Sequence, residues 1–320
     1  MPFQIPWACT PGKTYTLLLD FLKRIGIRLA LNVFTLIVII SLSFAIMKAA
    51  PGKPFETEKS PSPEIIAELH RKYDFTYLQY MTGILLHGDF RFSYSHRDRT
   101  VLEIITEALP VSMELGGYAL LLAIVAGLIW GLLSALYRGR WFESFIMALA
   151  MIGIAIPNFV LGSLLQLIFA LRLHWTSVAG WPAPGALILP VLTLSLTYIA
   201  YITRISRGSF LENLNKDYIR TARAKGLPES RILWKHLLRN SILPIVNFMA
   251  PATASVLTGT LVVEKIFNIP GLGRYFVESV FQRDFPLALG VIIVYSVFLL
   301  LLNLLADIVQ TMVDPRIRLQ

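Results

Sequence analysis

Charged residues are scarce in this sequence. Of its 320 residues, 15% are Asp, Glu, Lys or Arg, 55% are hydrophobic, and the mean hydropathy is +0.63. Soluble globular domains carry about 25% charged residues, so this composition excludes an ordinary soluble domain. It indicates an integral membrane protein.

Cysteine is almost absent as well. Cys9 is the one cysteine, which excludes an intramolecular disulfide framework and a cysteine metal cluster. The five histidines are scattered without the paired spacing of metal ligands. No serine or threonine stands in the sequence context of a nucleophile elbow. We therefore expect neither a metal site nor a catalytic constellation.

Six stretches of the chain contain no charged residue. Each is long enough for the roughly 20 residues that cross a bilayer core. The stretches are Leu29–Met47, Leu115–Leu136, Ser144–Leu171, Trp175–Thr203, Asn240–Val263 and Phe285–Ala306. The turn-forming residues Pro182, Pro184 and Gly185 stand near the start of the fourth stretch, so its span is expected to begin afterwards, at about position 186. The predicted fold class is an all-α polytopic membrane protein with six transmembrane helices.

The absence of charge within these stretches bears on the energy source. Carriers that couple transport to an ion gradient usually hold carboxylates, histidines or arginines inside the membrane. Glu114 and Asp307 lie at the ends of predicted spans, where interfacial carboxylates are common. A gradient-driven carrier and an intramembrane enzyme are thus distant alternatives. The energy for any transport is expected to come from a partner.

The formal net charge of +9 follows a membrane topology. Lys and Arg are densest between Arg204 and Arg239, and the short loops on the opposite side hold few. This positive-inside pattern predicts that both termini are cytoplasmic, and it argues against nucleic-acid binding. The first stretch follows Lys23, Arg24 and Arg28 as a secretory signal would, but its length predicts an uncleaved anchor.

The predicted organisation has five parts. They are a cytoplasmic segment 1–28, a first transmembrane helix 29–47, an extracytoplasmic segment 48–110, a five-helix core 111–312 with an inner loop 204–241, and a cytoplasmic tail 313–320.

Two motif fragments carry no function. Thr10–Thr14 ends like a phosphate-binding loop but lacks its first glycine, and Gly271–Phe276 lacks the third glycine of a dinucleotide fingerprint.

The inner loop is the most basic part of the chain. Asp217–Lys225 is compatible with a helix, and Gly226 suits a left-handed helix stop. Pro228 suits the first turn of another helix, so two helices are predicted to meet at a sharp corner. The basic residues of the second helix recur every fourth position and are Arg231, Lys235 and Arg239. This amphipathic pattern is also typical of a plain membrane-surface helix.

These residues resemble the cytoplasmic EAA loop of permease subunits from binding-protein-dependent ABC importers, in the oligopeptide, dipeptide and nickel branch. The matching loop segments are Asp217–Leu227, His236–Asn240 and Ile242–Pro244. Other segments follow in the family's order and are Pro51–Pro54, Gly88–Ser93, Ile156–Phe159, Pro270–Arg274, Arg283–Pro286 and Asp314–Ile317. Where the general motif has Glu-Ala-Ala, this chain has Arg220, Thr221 and Ala222, as is usual for the peptide branch.

The resemblance implies a type I ABC importer permease fold in the bacterial cytoplasmic membrane. It implies a non-catalytic subunit that moves di- or oligopeptides, with no cofactor in this chain and with ATP and Mg²⁺ bound by separate subunits. The expected partners are a second homologous permease subunit, two ATP-binding subunits, an extracytoplasmic peptide-binding protein and membrane lipid. Nickel, glutathione or another peptide-like solute stays open as the alternative cargo.

The resemblance also implies roles for particular residues. The expected ATPase-coupling residues are Arg220, Thr221, Ala222, Arg223, Ala224, Lys225 and Gly226. A run of small and hydroxyl residues in the fifth span favours close helix approach, with a translocation path at Thr253, Ser255 and Thr258. Docking of the binding protein is expected on the last outer loop, and its candidate residues are Gly271, Gly273, Arg274 and Asp284.

Overall fold

The computed structural model describes residues 11–49, 75–96, 99–177, 181 and 185–313. This described part is mainly helical and holds no strand beyond an isolated bridge between Phe92 and Thr100. The helices are α1 (Pro11–Ala49), α2 (Tyr77–Thr82), α3 (Val101–Leu136), α4 (Trp141–Ala155), α5 (Asn158–Leu165), α6 (Ile188–Leu214), α7 (Asp217–Ala224), α8 (Glu229–Arg231), α9 (Leu243–Ile266), α10 (Leu272–Phe281) and α11 (Phe285–Val313). The family-like segments Pro51–Pro54 and Asp314–Ile317 lie outside the described residues.

Three helices continue into π-helical turns. The turn Gly83–His87 follows α2, Gln166–Arg172 follows α5, and Ile232–Leu238 follows α8. A last α-helical turn, Arg239–Ser241, then leads to α9. A π-helical turn contains more residues than an α-helical turn, so the side chains after it no longer follow the 3.6-residue period of the helix before it.

The chain divides into two units, residues 1–50 and residues 51–320. In the first unit, α1 contains the predicted first span within an apolar portion, Ile25–Ala49, of 25 residues. Its Thr35 hydroxyl donates to Leu31 O at 2.8 Å, so this polar group is satisfied within the helix. Such internal pairing is what a helix surrounded by lipid requires.

Among the described residues, four helices are long and apolar enough to cross a membrane. They lie in α1, α3, α6 and α11 and contain the first, second, fourth and sixth predicted spans. The fifth predicted span coincides with α9, of which Leu243–Thr253 forms a shorter apolar helix. Residues 185–187 form a turn and α6 begins at Ile188, close to the start predicted for the fourth span, while Pro182 and Pro184 lie outside the described residues.

The third predicted span is broken in the structure. The helices α4 and α5 are each apolar, but the chain bends by 107° between them. Pro157 lacks a backbone N–H and disfavours helical geometry at the residue before it. Ile156 is accordingly extended, with φ −84° and ψ 123°. The single tilted helix expected from this long stretch is therefore a bent pair.

The helix α3 begins well before the second apolar stretch, at a capping box. Thr100 Oγ1 accepts from Glu103 N at 3.2 Å, and Glu103 Oε2 accepts from Thr100 N at 3.1 Å. This reciprocal pair satisfies two backbone donors at the helix start. The helix therefore extends out of the predicted span into the outer segment.

Replacing Thr100 with alanine is expected to destabilise this extension. Loss of an N-cap side chain costs about 1 kcal/mol, which corresponds to a lower melting temperature by about 2–4 °C in a protein of this size. The measurement is thermal unfolding of the purified membrane complex. Thr106→Ala is the matched control, because the Thr106 hydroxyl only bonds back to Glu103 O in the same helix. Equal melting temperatures for both variants would contradict the capping role.

The helices α3 and α6 pack closely against each other. Small residues recur at every fourth position of α3 and are all buried, namely Ala119, Ala123, Gly127, Gly131 and Ala135. A Cβ atom on Gly127 would lie 2.7 Å from Ile202 Cβ. On Gly131 it would overlap the Ser206 hydroxyl and lie 3.0 Å from Thr203 O. Small residues at this spacing let transmembrane helix backbones approach closely.

Candidate coupling site

The corner between α7 and α8 is closed by a Schellman motif. Leu227 N donates to Ala222 O at 3.3 Å, and Gly226 N donates to Arg223 O at 2.9 Å. Gly226 has φ +71°, the left-handed conformation that this motif needs after the helix. Pro228 then precedes the first turn of α8 with φ −64°. The predicted corner, with Gly226 as a left-handed helix stop, is confirmed.

The inward face of α7 fixes the corner to the rest of the protein. Ile219 and Ala222 are buried in an apolar cluster with residues of α3, α6 and the π-helical turn after α8. The other buried members of this cluster are Ala135, Phe210, Ile232 and Leu237. Burial of apolar side chains stabilises by roughly 25 cal/mol per Å², so such a cluster holds the short helix firmly. The corner is therefore a rigid protrusion from α6.

The outward face of α7 is charged and exposed. Arg223 Nε donates to Glu229 Oε1 at 2.8 Å, which ties the end of α7 to the start of α8. This hydrogen bond raises the pKa of Arg223, whose charge is thus retained. Arg220 pairs loosely with Asp217 at 3.8 Å. From Asp217 to Arg231, four basic residues stand against two acidic ones, so the surface of the corner carries a net positive charge.

A second cluster lies at the opposite end of the helices, around Glu264 in α9. Glu264 Oε1 accepts from Ser112 Oγ at 2.7 Å, and its Oε2 accepts from Gly273 N at 2.7 Å and Arg274 N at 3.2 Å. The carboxylate is fully buried. It thus joins α9 to α3 and to the start of α10.

Asp284 forms a comparable cluster between α10 and α11. Its Oδ2 accepts from Ser93 Oγ and from Ser95 N, the latter at 3.0 Å. Its Oδ1 accepts from Leu287 N at 3.2 Å, as an N-cap of α11 does. The outer segment before α3 is therefore tied to the loop between α10 and α11.

The sequence of this helical chain matches a known protein family. The family described as "Binding-protein-dependent transport system inner membrane component" matches residues 123–319. This chain belongs to that family.

Curated relatives match nearly the whole chain. The oligopeptide transport system permease protein OppB of Salmonella typhimurium is 41% identical over 292 residues, which cover 89% of this chain and 95% of OppB. The dipeptide transport system permease protein DppB of Bacillus subtilis is 40% identical over 291 residues, covering 89% of this chain and 94% of DppB. Both relatives are named as permease proteins of peptide transport systems.

Solved structures support the fold. The MetNI methionine ABC transporter in an inward-facing conformation has a TM-score of 0.56 and 16% identity, covering 67% of this chain and 98% of its own. An amino acid ABC transporter has a TM-score of 0.53 and 17% identity. The match covers 66% of this chain and 94% of that transporter chain. At these identities the similarity concerns the fold alone.

The binding-protein-dependent family is one of ABC importer permeases, so this chain is a multi-pass protein of the inner membrane. Its family name implies a solute-binding protein as a partner, and an ABC importer implies ATPase partners. The type I importer permease fold expected from the sequence is confirmed.

Most of the predicted coupling residues lie on the surface of the corner. The exposed ones are Arg220, Thr221, Arg223, Ala224, Lys225 and Gly226. Ala222 is 6% exposed and packs in the permease's own apolar cluster, where it holds α7 in place. Contact of the exposed residues with an ATPase stays a prediction.

Of the predicted path residues, the side chains of Thr253 and Ser255 are described, and these two differ in exposure. The Thr253 hydroxyl donates to Met249 O at 2.8 Å and is half-buried, whereas Ser255 is exposed. Helical residues two positions apart point in different directions. The Thr258 side chain lies outside the described residues. A translocation path along this part of α9 stays a prediction.

The predicted docking residues lie mainly inside the outer loop. Gly271, Gly273 and Asp284 are buried and Arg274 is half-buried. Arg274 Nε donates to Glu278 Oε1 at 3.0 Å, and Lys265 Nζ donates to the same atom at 2.7 Å. These residues therefore shape the loop, and their direct contact with a binding protein stays a prediction.

Sequence reasoning missed three buried acidic or hydroxyl residues of this permease. Glu264 lies one position beyond the fifth uncharged stretch, and Ser112 lies before the second. Glu143 is buried at the start of α4, where it accepts from Gly139 N at 2.6 Å and from Arg207 Nε at 2.8 Å. For Glu264 and Glu143, the sequence signal is a single acidic residue directly beside an uncharged stretch. In a membrane protein such a residue is a functional candidate.

Proposed function

We propose that this chain is the permease subunit of an ATP-driven importer of di- or oligopeptides. The observation that carries the proposal is the rigid, exposed corner at Gly226, seated on a buried apolar cluster. A surface helix bound to lipid needs only an amphipathic face, whereas docking into a groove of a partner needs a fixed protrusion. The named functions of OppB and DppB support peptides as the cargo class.

The assembled importer would contain a second homologous permease, two ATP-binding subunits that hold ATP and Mg²⁺, and an extracytoplasmic peptide-binding protein. The positive-inside pattern supports a cytoplasmic location for both termini and for the corner at Gly226. In this proposal the chain itself catalyses no reaction and binds no cofactor. It converts movement of the ATPases into movement of its helices.

The proposed mechanism is a rigid-body motion. Closure of the ATP-binding subunits would move α7, and the buried cluster around Ile219 would pass this movement to α3 and α6. Packed helices shift between discrete arrangements because their interiors are not continuously deformable. Alternating access of the path to the two sides of the membrane would follow.

Reconstitution tests this function. The permease is purified from its native membrane with the proteins that accompany it, and uptake of a radiolabelled tripeptide into proteoliposomes is measured. We expect nucleotide-hydrolysing subunits to co-purify, and uptake to require both ATP and the binding protein. Competition by nickel or glutathione would favour the alternative cargo. Uptake by this chain alone, driven by a proton gradient, would contradict the proposal.

A further inference from the structure

Glu264 carries a carboxylate that is fully buried at the end of α9. Removing an ionised carboxylate from water is strongly unfavourable unless hydrogen-bond donors compensate for the lost hydration. An acidic residue at such a position in a membrane protein is a functional candidate whose partners identify its role. The partners of Glu264 come from two other helices.

Both carboxyl oxygens of Glu264 have hydrogen-bond partners. Its Oε2 faces the backbone N–H groups of Gly273 and Arg274, which only donate. These groups belong to the first turn of α10, where the helix dipole favours negative charge. Ser112 Oγ donates to Oε1 and accepts from Leu272 N at 2.9 Å, so α3 joins the same network. The carboxylate is thereby bound between α3, α9 and α10.

Two glycines allow this close approach. A Cβ atom on Gly271 would lie 2.5 Å from Glu264 Cδ and 2.6 Å from Ser112 Oγ. A Cβ atom on Gly273 would lie 2.9 Å from Leu261 N. Cβ atoms do not approach heavy atoms so closely, so larger residues would separate α10 from α9. The two glycines and the Glu264 carboxylate together hold the start of α10 close to α9.

The far end of α10 is also fixed. Asp284 follows this helix and accepts hydrogen bonds from Ser93 Oγ and Ser95 N in the outer segment. Between the two fixed ends, α10 presents Phe281, which is 84% exposed. The start of α10 is thus joined to α9 through Glu264, and its far end is joined to the outer segment through Asp284.

We infer that Glu264 is a positioning residue that couples α10 to α9, so that docking of the binding protein on α10 moves α9 directly. The inference rests on the proposed function, because it requires a binding protein on one side and responding ATPases on the other. It makes Glu264 a residue that transmits docking. It assigns the carboxylate neither to cargo binding nor to proton transfer.

The test compares ATP hydrolysis by the assembled transporter in nanodiscs with and without peptide-loaded binding protein. For Glu264→Ala we expect basal hydrolysis within about twofold of the unaltered transporter, and stimulation by the binding protein reduced about tenfold, since the hydrogen bonds of a buried carboxyl group are lost. Glu264→Gln keeps an amide oxygen for Gly273 N and is expected to restore part of the stimulation. A merely structural role would change basal and stimulated hydrolysis together.

Glu278→Gln is the matched control. Glu278 in α10 also links this helix to α9, through a hydrogen bond from Lys265 Nζ, but it is half-buried whereas Glu264 is fully buried. Burial alone would raise the pKa of Glu278, yet the hydrogen bonds from Lys265 and Arg274 lower it. Lys265 is 47% exposed, so water reaches this ion pair and its contribution is expected to be about 0–1 kcal/mol. We therefore expect stimulation within about threefold of the unaltered transporter. An equal loss in both variants would overturn the inference.

Other outcomes also decide. Full stimulation in Glu264→Ala would overturn the inference. If Glu264→Ala does not assemble, Ser112→Ala and Glu264→Gln replace it, and full stimulation in both would overturn the inference, whereas a loss in either supports it. An unaltered transporter that no binding protein stimulates would contradict the proposed function instead, so the two failures are distinguishable.

Discussion

Replacing Gly226 with valine is expected to uncouple ATP hydrolysis from transport. Gly226 has φ +71°, and a Cβ atom there would meet no neighbour within 4 Å, so the change acts through the backbone alone. The left-handed conformation costs an L-residue about 1–2 kcal/mol, and a β-branched residue more, which lowers the equilibrium constant for forming the native corner at least about 5- to 30-fold. We expect peptide uptake to fall by a similar factor while the transporter still assembles.

The control for this substitution is Gly226→Asn. Asparagine fills the same open space but tolerates the left-handed conformation far better than valine. We expect its uptake to stay within about threefold of the unaltered transporter, since the residual strain is small. The measurement is the number of peptides imported per ATP hydrolysed. A normal ratio in Gly226→Val would mean that the shape of the corner does not matter.

Gly131→Leu is expected to have the largest effect on assembly. Even the first side-chain atom at this position would overlap the Ser206 hydroxyl and lie 2.9 Å from Ser206 Cβ. Overpacking by extra methylene groups typically costs about 1–3 kcal/mol, and here the clash also forces the backbones of α3 and α6 apart. We expect at least about a tenfold loss of assembled transporter, measured by co-purification with the partner subunits.

The matched control lies on the same helix. A Cβ atom on Gly117 in α3 would meet no neighbouring atom within 4 Å, so Gly117→Leu introduces the same residue without this clash. A second comparison adds Ser206→Gly to Gly131→Ala, which removes the obstructing hydroxyl and should recover assembly lost in Gly131→Ala alone. Equal assembly of Gly131→Leu and Gly117→Leu would contradict the tight α3–α6 contact.

The cytoplasmic corner could be predicted from local sequence signals. A glycine after the charged helix and a proline two residues later determine the turn through backbone conformation, which depends little on distant residues. The structure confirms both ends of α7 to within a residue. The burial of Ala222 could not be predicted in the same way, because it depends on Ile232 and Leu237 folding back against α7.

Hydropathy is sufficient to predict four of the membrane spans, but it does not predict the bend in the third stretch. Four stretches became long helices because a bilayer span needs little more than length and apolar composition. The third stretch has the same composition, yet Pro157 breaks it and the chain bends by 107°. Hydropathy does not register a missing backbone donor. The proline itself was the signal for this break.

The buried carboxylates were the hardest feature to predict. In the sequence, Glu264 looks like an ordinary residue near the end of an apolar stretch, and Asp284 is predicted to dock the binding protein, with no sign that it would be buried. Their role depends on donors far away in the chain, Ser112 for Glu264 and Ser93 for Asp284. Such pairings follow from the packing of whole helices and leave no periodic pattern in the sequence.

Cross-linking from the corner tests the central claim most directly. In a Cys9→Ser background, cysteine is placed at Ala224, which is exposed on α7, and a short bifunctional reagent is added to native membranes. Cysteine at Phe281, exposed on α10, is the control at the opposite end of the helices. We predict an adduct between position 224 and a nucleotide-hydrolysing subunit, and none from position 281. Reaction of position 224 with lipid alone, with no such subunit attached, would contradict the account.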